Sequence, residues 1–432
     1  MKNNNLIIVG LGSIGSNLAE YLIKKNYNVK VWDKDVTRLK QFSKINKVRI
    51  EKEFSKNFVK NTIVILTINA GKNVDNFFNK NLIILKKSKY LVDLGNNHPD
   101  DTLRRYNFLK KQKIRYINPG FSGGVEGAKG KASLMISCNK QELSNLADLF
   151  SKISGHKKKF LKLVGKKPHS GNYVKIVHNS IEYAILQSIA DYYFILKKLK
   201  KFSDTKILKE ILYIEKKINN FYLLSLLKQI IKQKTDLNKI IDKVDDNNTG
   251  AWASRFSMKY KFSNQILHAA LEARYLSKAK RFIKPLITNN SKINLRQLTE
   301  SLILIIKFSY IQGFSLLDRI NKTERLSMNI HNVIFSWKYN SIIRSDFLKE
   351  ISSYLRKEKN NFDKFYKKFF PIKDVNSFMK VMQDLSKRNL YPISFVSLST
   401  WLFYNQKQHY DSFSLIQKMR NIFGNHKIRL KH

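Results

Sequence analysis

The chain has 432 residues, 43% of them hydrophobic, a single cysteine and a formal net charge of +49. This length exceeds one ordinary core and predicts two or more packed domains, while the lone Cys138 excludes an internal disulfide framework and fits a reducing compartment. The basic excess is mainly Lys, spread along the chain rather than clustered beside aromatic residues, and it accompanies many residues with A/T-rich codons. It therefore reads as compositional bias that attracts anionic substrates rather than as a nucleic-acid interface.

In chain order, segments 6–9, 29–32, 62–68, 82–85, 90–94 and 115–118 read as strands, separated by amphipathic helical patterns such as 16–25. That alternation predicts an α/β, Rossmann-like, doubly wound parallel sheet over residues 1–168. Beyond it the 3.6-residue period takes over at 173–199, 208–232, 265–277, 295–320, 342–356 and 375–385, which predicts a large all-α domain over 169–418 and a short tail over 419–432. Pro168 and Gly171 punctuate the boundary, and segment 295–319 faintly echoes 173–199. No stretch reaches the ~18 uninterrupted apolar residues of a membrane helix; the best, 302–306, is stopped by Lys307. The N-terminus has no signal-peptide layout, so a cytoplasmic protein with no membrane partner is expected.

Gly10-Leu11-Gly12-Ser13-Ile14-Gly15 follows the first strand and opens a helix. The first glycine permits the tight turn, the second admits a pyrophosphate against the backbone, and the third allows close helix packing, with the helix N-terminus favouring the phosphate charge. Asp33, at the end of the second strand, occupies the position where a carboxylate accepts from an adenosine ribose and repels a 2′-phosphate. Asp35 adds to this and Lys34 opposes it, so the residues lean to NAD and leave NADP open.

Lys175, His178, Asn179, Glu182 and Tyr183 fall at i, i+3, i+4, i+7 and i+8, on one helical face, while Val174, Ile176, Val177, Ile181 and Ile185 cover the remaining circumference. Such a helix is buried, and ionisable groups on its buried face line a site or pair with one another. A desolvated lysine near a cofactor can serve as a base, and a buried glutamate can hold a proton to deliver.

With these residues the chain resembles the 6-phosphogluconate dehydrogenase family. The matches run in order: Asp93-Leu94-Gly95-Asn96; Ser122-Gly123-Gly124-Val125-Glu126-Gly127-Ala128; the helix from Val174 to Tyr183; Thr249-Gly250-Ala251-Trp252; Glu272-Ala273-Arg274; and Arg420-Asn421-Ile422-Phe423-Gly424-Asn425-His426. The resemblance implies oxidative decarboxylation of 6-phosphogluconate to ribulose 5-phosphate with NADP or NAD. It implies Lys175 as general base and Glu182 as the acid that protonates the enediol carbon. Asn96, Ser122, Gly123, Gly124, His178 and Asn179 would hold the sugar acid, and Tyr183 and Arg274 its phosphate. Arg420 and His426 would reach in from a second subunit of a homodimer. Gly10, Gly12, Ser13, Ile14, Gly15, Asp33, Lys34, Asp35, Ile68, Asn69 and Asn96 would contact the cofactor, and no metal is implied.

The chain departs from the family at several of these points. Asp33-Lys34-Asp35 stands where the family has Asn-Arg-Thr, and Asn247 and Ala251 stand where its phosphate loop has two lysines. The family's Trp-Arg-Gly-Gly-Cys reads Trp337-Lys338-Tyr339-Asn340-Ser341, and its aromatic, glycine-rich tail has no counterpart after His432. A related β-hydroxyacid dehydrogenase and a degenerate, non-catalytic basic protein are the competing readings. Retained Tyr183, Arg274, Arg420 and His426 oppose the first, and intact Lys175 and Glu182 the second.

Overall fold

The computed structural model describes residues 5–46, 53–279, 287, 293–362, 364–405, 411–424 and 426–428. Strands β1 (Asn5–Val9), β2 (Asn28–Trp32), β3 (Ile63–Leu66), β4 (Tyr90–Asp93) and β5 (Tyr116–Ile117) form one parallel sheet in the order β2-β1-β3-β4-β5. Leu6 and Ile8 face one layer and Ile7 and Val9 the other, all four inaccessible to solvent. A parallel strand covered on both faces has no polar side, which explains the unbroken apolar run.

One layer consists of α1 (Ser13–Lys24) and, far along the chain, α5 (Lys140–Ser154), which packs Leu146, Leu149, Phe150 and Ile153 onto the sheet. Helix α2 (Val36–Asn46) follows β2. The opposite layer is α3 (Lys72–Leu85) and α4 (Pro99–Lys111). Segment 82–85, expected as a strand, is the last turn of α3: Val74, Phe77, Phe78, Asn81 and Leu85 are its buried face, and Ile83 points to solvent. Helical period over fourteen residues outweighs the β-preference of a short Ile-Ile run. Because the chain leaves β1 to either side, the ends of β1 and β3 border the crevice where such sheets take ligands.

An antiparallel hairpin, β6 (Gly120–Ser122) and β7 (Ser133–Met135), links the sheet to the helices. Against it lies α6 (Ser170–Phe194), the central helix of the second core. Segment 208–232 is two helices, α7 (Asp204–Lys217) and α8 (Tyr222–Lys232), divided at Asn220, whose φ of +53° is a left-handed conformation that Asn tolerates. After α9 (Thr249–Lys259) and α10 (Gln265–Leu276) comes α11 (Leu295–Glu324), packed directly on α6 where Gly313 admits Ile181. The two segments whose sequences echo each other are therefore neighbours. Helix α11 is long and apolar enough to cross a membrane by length and composition, yet 83% of its most apolar window is buried within the protein. Helix α12 (Ile330–Lys338) precedes a turn at 341–344, so α13 (Phe347–Lys357) starts later than the period from 342 predicts. Ile343 is buried and Ile342 reaches the cleft described below, so tertiary contacts override the local pattern there. Helices α14 (Ile372–Ser386), α15 (Ile393–Tyr404) and α16 (Asp411–Gly424) complete the described chain. Helix α16 runs through the expected start of the tail at 419, and Asn425 and 429–432 lie outside the described residues.

Gly171, taken from the sequence as punctuation, lies in the first turn of α6 and serves close packing instead. A Cβ there would stand 2.2 Å from the Met135 carbonyl oxygen, and one on Gly120 would stand 2.7 Å from Lys175 Cβ. These two glycines seat α6 on the hairpin. Gly171→Ala is expected to lower stability by about 2 kcal/mol, read as a fall in thermal midpoint; an unchanged melt would mean that this approach constrains nothing.

Candidate active site

Two cavities meet at the ends of β1 and β3. One, about 410 Å³, is lined by Gly10, Gly12, Asp33, Lys34, Arg38 and Lys80 among others. Thr67, Ile68 and Asn69 belong both to it and to the second, about 590 Å³, which opens toward Asn96, Ser122, Gly123, Gly124, Lys175 and Glu182. The glycine turn fits a dinucleotide. Gly10 has φ +98°, a Cβ on Gly15 would collide with the Gly10 carbonyl oxygen at 1.9 Å, and a Cβ on Gly12 would meet nothing within 4 Å. So the first and third glycines are walled in, while the second faces open space at the start of α1. There the helix's first N–H groups have no intrahelical acceptor and suit a pyrophosphate. Ser13 is exposed in that first turn, and Ile14 lines the larger cavity.

Asp33 lines the smaller cavity at the end of β2 and is also bound to the chain around it. It is buried, its Oδ2 accepts from Leu11 N at 2.6 Å, and its Oδ1 accepts from Asp35 N at 2.9 Å. Its job is to brace the glycine turn. Asp35 caps α2 by accepting from Thr37 N at 2.9 Å, and it lies 3.4 Å from Arg38 Nε. Each Asp33 oxygen keeps acceptor capacity beyond its backbone amide, and Asp33 still lines the cavity beside Lys34 and Arg38, so the lining leaves both NAD and NADP open.

The polar stripe of α6 faces the larger cavity. Lys175 is 6% exposed, and its Nζ donates to Asn179 Oδ1 at 2.7 Å. Burial pushes its pKa down to about 8, opposed by the Glu182 charge. Glu182, half-buried and lining the same cleft, is shifted upward by desolvation, with Lys175 and Arg274 pulling it back. His178 is inaccessible to solvent; burial and then the Lys175 charge hold it well below the usual histidine range, so it is neutral. Asn179 Oδ1 lies 3.1 Å from His178 Nδ1 and also receives Lys175, which assigns the imidazole proton to Nδ1. Nε2, 3.0 Å from Ser122 Oγ, then accepts that hydroxyl. Asn179 Nδ2 donates to Thr249 Oγ1 at 3.1 Å, so every polar group behind the lysine is oriented.

A model of the 6-phosphogluconate dehydrogenase C-terminal domain matches residues 171–432, and one of the NAD binding domain of 6-phosphogluconate dehydrogenase matches 5–165. The chain belongs to the 6-phosphogluconate dehydrogenase family. It is 28% identical to the decarboxylating 6-phosphogluconate dehydrogenase of Buchnera aphidicola subsp. Acyrthosiphon pisum, with 99% of this chain and 96% of that protein covered. It is also 28% identical to decarboxylating enzyme 1 of Saccharomyces cerevisiae, with 98% and 92% covered. The solved 6-phosphogluconate dehydrogenase of Plasmodium falciparum, described in its apo form and in complexes with NADP+ and with 6-phosphogluconate, superposes with a TM-score of 0.85 at 25% identity, covering 99% of this chain and 98% of that one.

The sites that the family resemblance implies fall into three places. Asn96, Ser122, Gly123, Gly124, Lys175, Asn179 and Glu182 line one cleft, with His178 directly behind Ser122 and Asn179. Tyr183 and Arg274 stand together beside it: the guanidinium lies 3.4 Å from the ring centroid, and Tyr183 Oη donates to Asn247 Oδ1 at 3.1 Å. Arg420 and His426 are exposed on and after α16 and do not line this chain's cleft. Thr67, Phe121, Asn248 and Ile342 also line it and were not anticipated. Thr67, Asn248 and Ile342 sit in loops without periodicity, and Phe121 in the three-residue strand β6, all brought in by tertiary structure. Only the position of Thr67 and Phe121 beside recognised motifs hints at them.

A lysine with a depressed folded pKa binds fewer protons folded than unfolded between about 8 and 10.5, so its contribution raises stability as pH climbs through that window and its burial cost is fully present below it. Lys175→Met is therefore expected to melt at or above the parent protein at neutral pH, with the difference shrinking toward pH 10.5. A variant that melts well below the parent at neutral pH would contradict the desolvation.

Proposed function

We propose that this chain oxidises and decarboxylates 6-phosphogluconate to ribulose 5-phosphate and carbon dioxide, with NADP as the preferred oxidant. One observation carries the reading: two ionisable groups two turns apart on α6 line the same cleft, with burial shifting the lysine toward neutrality and the glutamate toward protonation.

The nicotinamide, bound across the ends of β1 and β3, would supply the acceptor for hydride from C3 of the sugar acid. The chain's residues do the remaining work. Asn96, Ser122 and Asn179 orient the reacting carbons. Neutral Lys175 takes the proton from the C3 hydroxyl as the hydride departs. Once C3 is a ketone, the carboxyl group is β to a carbonyl, and the ammonium of Lys175 stabilises the negative charge that develops on that oxygen as carbon dioxide leaves. Glu182, whose burial favours the protonated form, then delivers its proton to C1 of the enediolate, which restores the ketone.

What supports NADP is the lining of the smaller cavity. Lys34, Arg38 and Lys80 border it together with Asp33, three cations to one carboxylate that also accepts two backbone amides. A cation fork beside the adenosine ribose suits a 2′-phosphate. We further propose a homodimer in which Arg420 and His426 of one subunit complete the phosphate end of the other. Helix α16 supports this with a row of exposed apolar side chains, Phe413, Leu415, Ile416, Met419 and Ile422, beside Arg420. The reading carries a cytoplasmic setting with it, consistent with the single, buried Cys138.

Purified protein should reduce NADP in the presence of 6-phosphogluconate, followed by the absorbance of the reduced nicotinamide; absence of reduction with NADP and with NAD would remove the reading. Lys175→Ala should lose about a thousandfold in kcat, and the parent's kcat/KM should climb as pH rises toward about 8, where Lys175 becomes neutral. Arg38→Ala should raise KM for NADP about tenfold and leave KM for NAD nearly unchanged. Equal effects on both cofactors would overturn the assignment of Arg38.

A further inference from the structure

Beneath the cleft lies a polar cluster that the reaction scheme does not use. Two loops form opposite lips of the larger cavity: Ile68, Asn69, Ala70 and Gly71 after β3, and Leu94, Gly95 and Asn96 after β4. Neither loop has regular structure to hold its shape. A single side chain joins them from below. Arg105, on α4, is 1% exposed; its Nη2 donates to the Gly71 carbonyl oxygen at 2.9 Å, and its Nη1 donates to Asn97 Oδ1 at 2.7 Å. Its remaining donors meet Asp75 on α3 as a fork, Nε to Oδ1 at 2.8 Å and Nη2 to Oδ2 at 3.0 Å.

Asn97 passes the constraint on. Its Nδ2 donates to Asp93 Oδ2 at 2.9 Å, and its backbone carbonyl accepts from Asn172 Nδ2, on α6, at 3.2 Å. Asn172 also donates to Asn118 Oδ1 at 2.6 Å. The β3 loop, the β4 loop and the first turn of the helix bearing Lys175 are thus tied through one guanidinium and two amides. The planar fork of arginine fixes three acceptors in one geometry, which a flexible ammonium does not.

We propose that Arg105 is a positioning residue that sets the separation of the two loops and so the registry of nicotinamide against sugar acid. The inference rests on the cleft being the dehydrogenase site proposed above. Arg105 touches no reacting atom in this scheme and acts through Gly71, Asp75 and Asn97. Misplacement of bound partners by about an ångström costs on the order of a hundredfold in rate, so loss of the fork acts on turnover as well as on binding.

Three variants test this. Arg105→Lys keeps the charge and loses the fork, Asp75→Asn weakens the clamp from its half-exposed side, and Arg104→Ala removes an exposed arginine that shares Asp75 but reaches neither loop. The measurements are kcat, KM for 6-phosphogluconate, the thermal midpoint, and the Kd for NADPH by calorimetry without substrate. Arg105→Lys is expected to raise the NADPH Kd and lower kcat, each about tenfold, Asp75→Asn to shift both in the same direction by less, and Arg104→Ala to shift neither. If Arg105→Lys does not fold, Asp75→Asn decides alone. A lower thermal midpoint with unchanged Kd and kcat in Asp75→Asn and in any folded Arg105→Lys overturns positioning in favour of a structural role. A parent protein that binds NADPH but does not oxidise 6-phosphogluconate refutes the function while the Kd series still tests the clamp.

Discussion

An ammonium group held out of water is the constraint on which this molecule turns. Lysine is rarely buried, and here it is buried because the helix carrying it is packed on every side but the cleft: by the β6–β7 hairpin through Gly120 and Gly171, by α11 through Gly313, and by α9 and α10. Desolvation is the largest cause of its lowered pKa, ahead of any charge. The shifted lysine is therefore a product of tertiary packing. Any loosening of α6 from the hairpin readmits water and returns the lysine toward its ordinary protonation, so the glycines of the seat belong to the chemistry as much as the residues of the cleft do.

The cost of that burial is contained by hydrogen bonding. Asn179 Oδ1 takes both the Lys175 ammonium and the His178 N–H, His178 takes the Ser122 hydroxyl, and Thr249 takes the Asn179 amide. A buried polar set is tolerable when each member is satisfied. The neutral state of His178 follows from burial first and from the neighbouring Lys175 charge second. Histidine thus orients the serine and the asparagine that line the cleft, without itself lining it.

Much of this was legible in the sequence, and the failures have identifiable causes. The glycine motif, the parallel sheet and the α6 stripe could be read because each rests on local spacing: a turn geometry, an apolar run, a helical period. Segment 82–85 was misread because four apolar residues fit two periods, and only the register of Phe77, Phe78 and Asn81 before them selects the helix. Asp33 was legible only in part. Its position at the end of β2 and in the cavity lining follows from the strand and the motif, but the sequence does not record that Leu11 N comes within 2.6 Å of the carboxylate. Thr67 and Ile342 were invisible because they reach the cleft through loops whose course is set by distant elements.

The charge of +49 invites the idea that the whole molecule tunes Lys175. The magnitudes argue otherwise. Exposed charges are screened beyond about 8–10 Å at physiological ionic strength, and most of the lysines are exposed on surfaces outside the cleft. Their field can raise the encounter rate of an anionic sugar phosphate at low salt, an effect on arrival. Inside the cleft the neighbourhood decides: desolvation lowers the lysine and the Glu182 charge opposes it. The rim beside Tyr183 is the reverse case. Asn247 contributes a neutral amide there, and Arg274 stacks on Tyr183 beside it. A diffuse surface charge cannot replace a hydrogen-bonded cation at that point, because affinity for a bound phosphate is set by contacts within a few ångströms. The positive surface and the reacting end of the cleft thus solve separate problems, delivery and chemistry, and only the second depends on how the chain folds around α6.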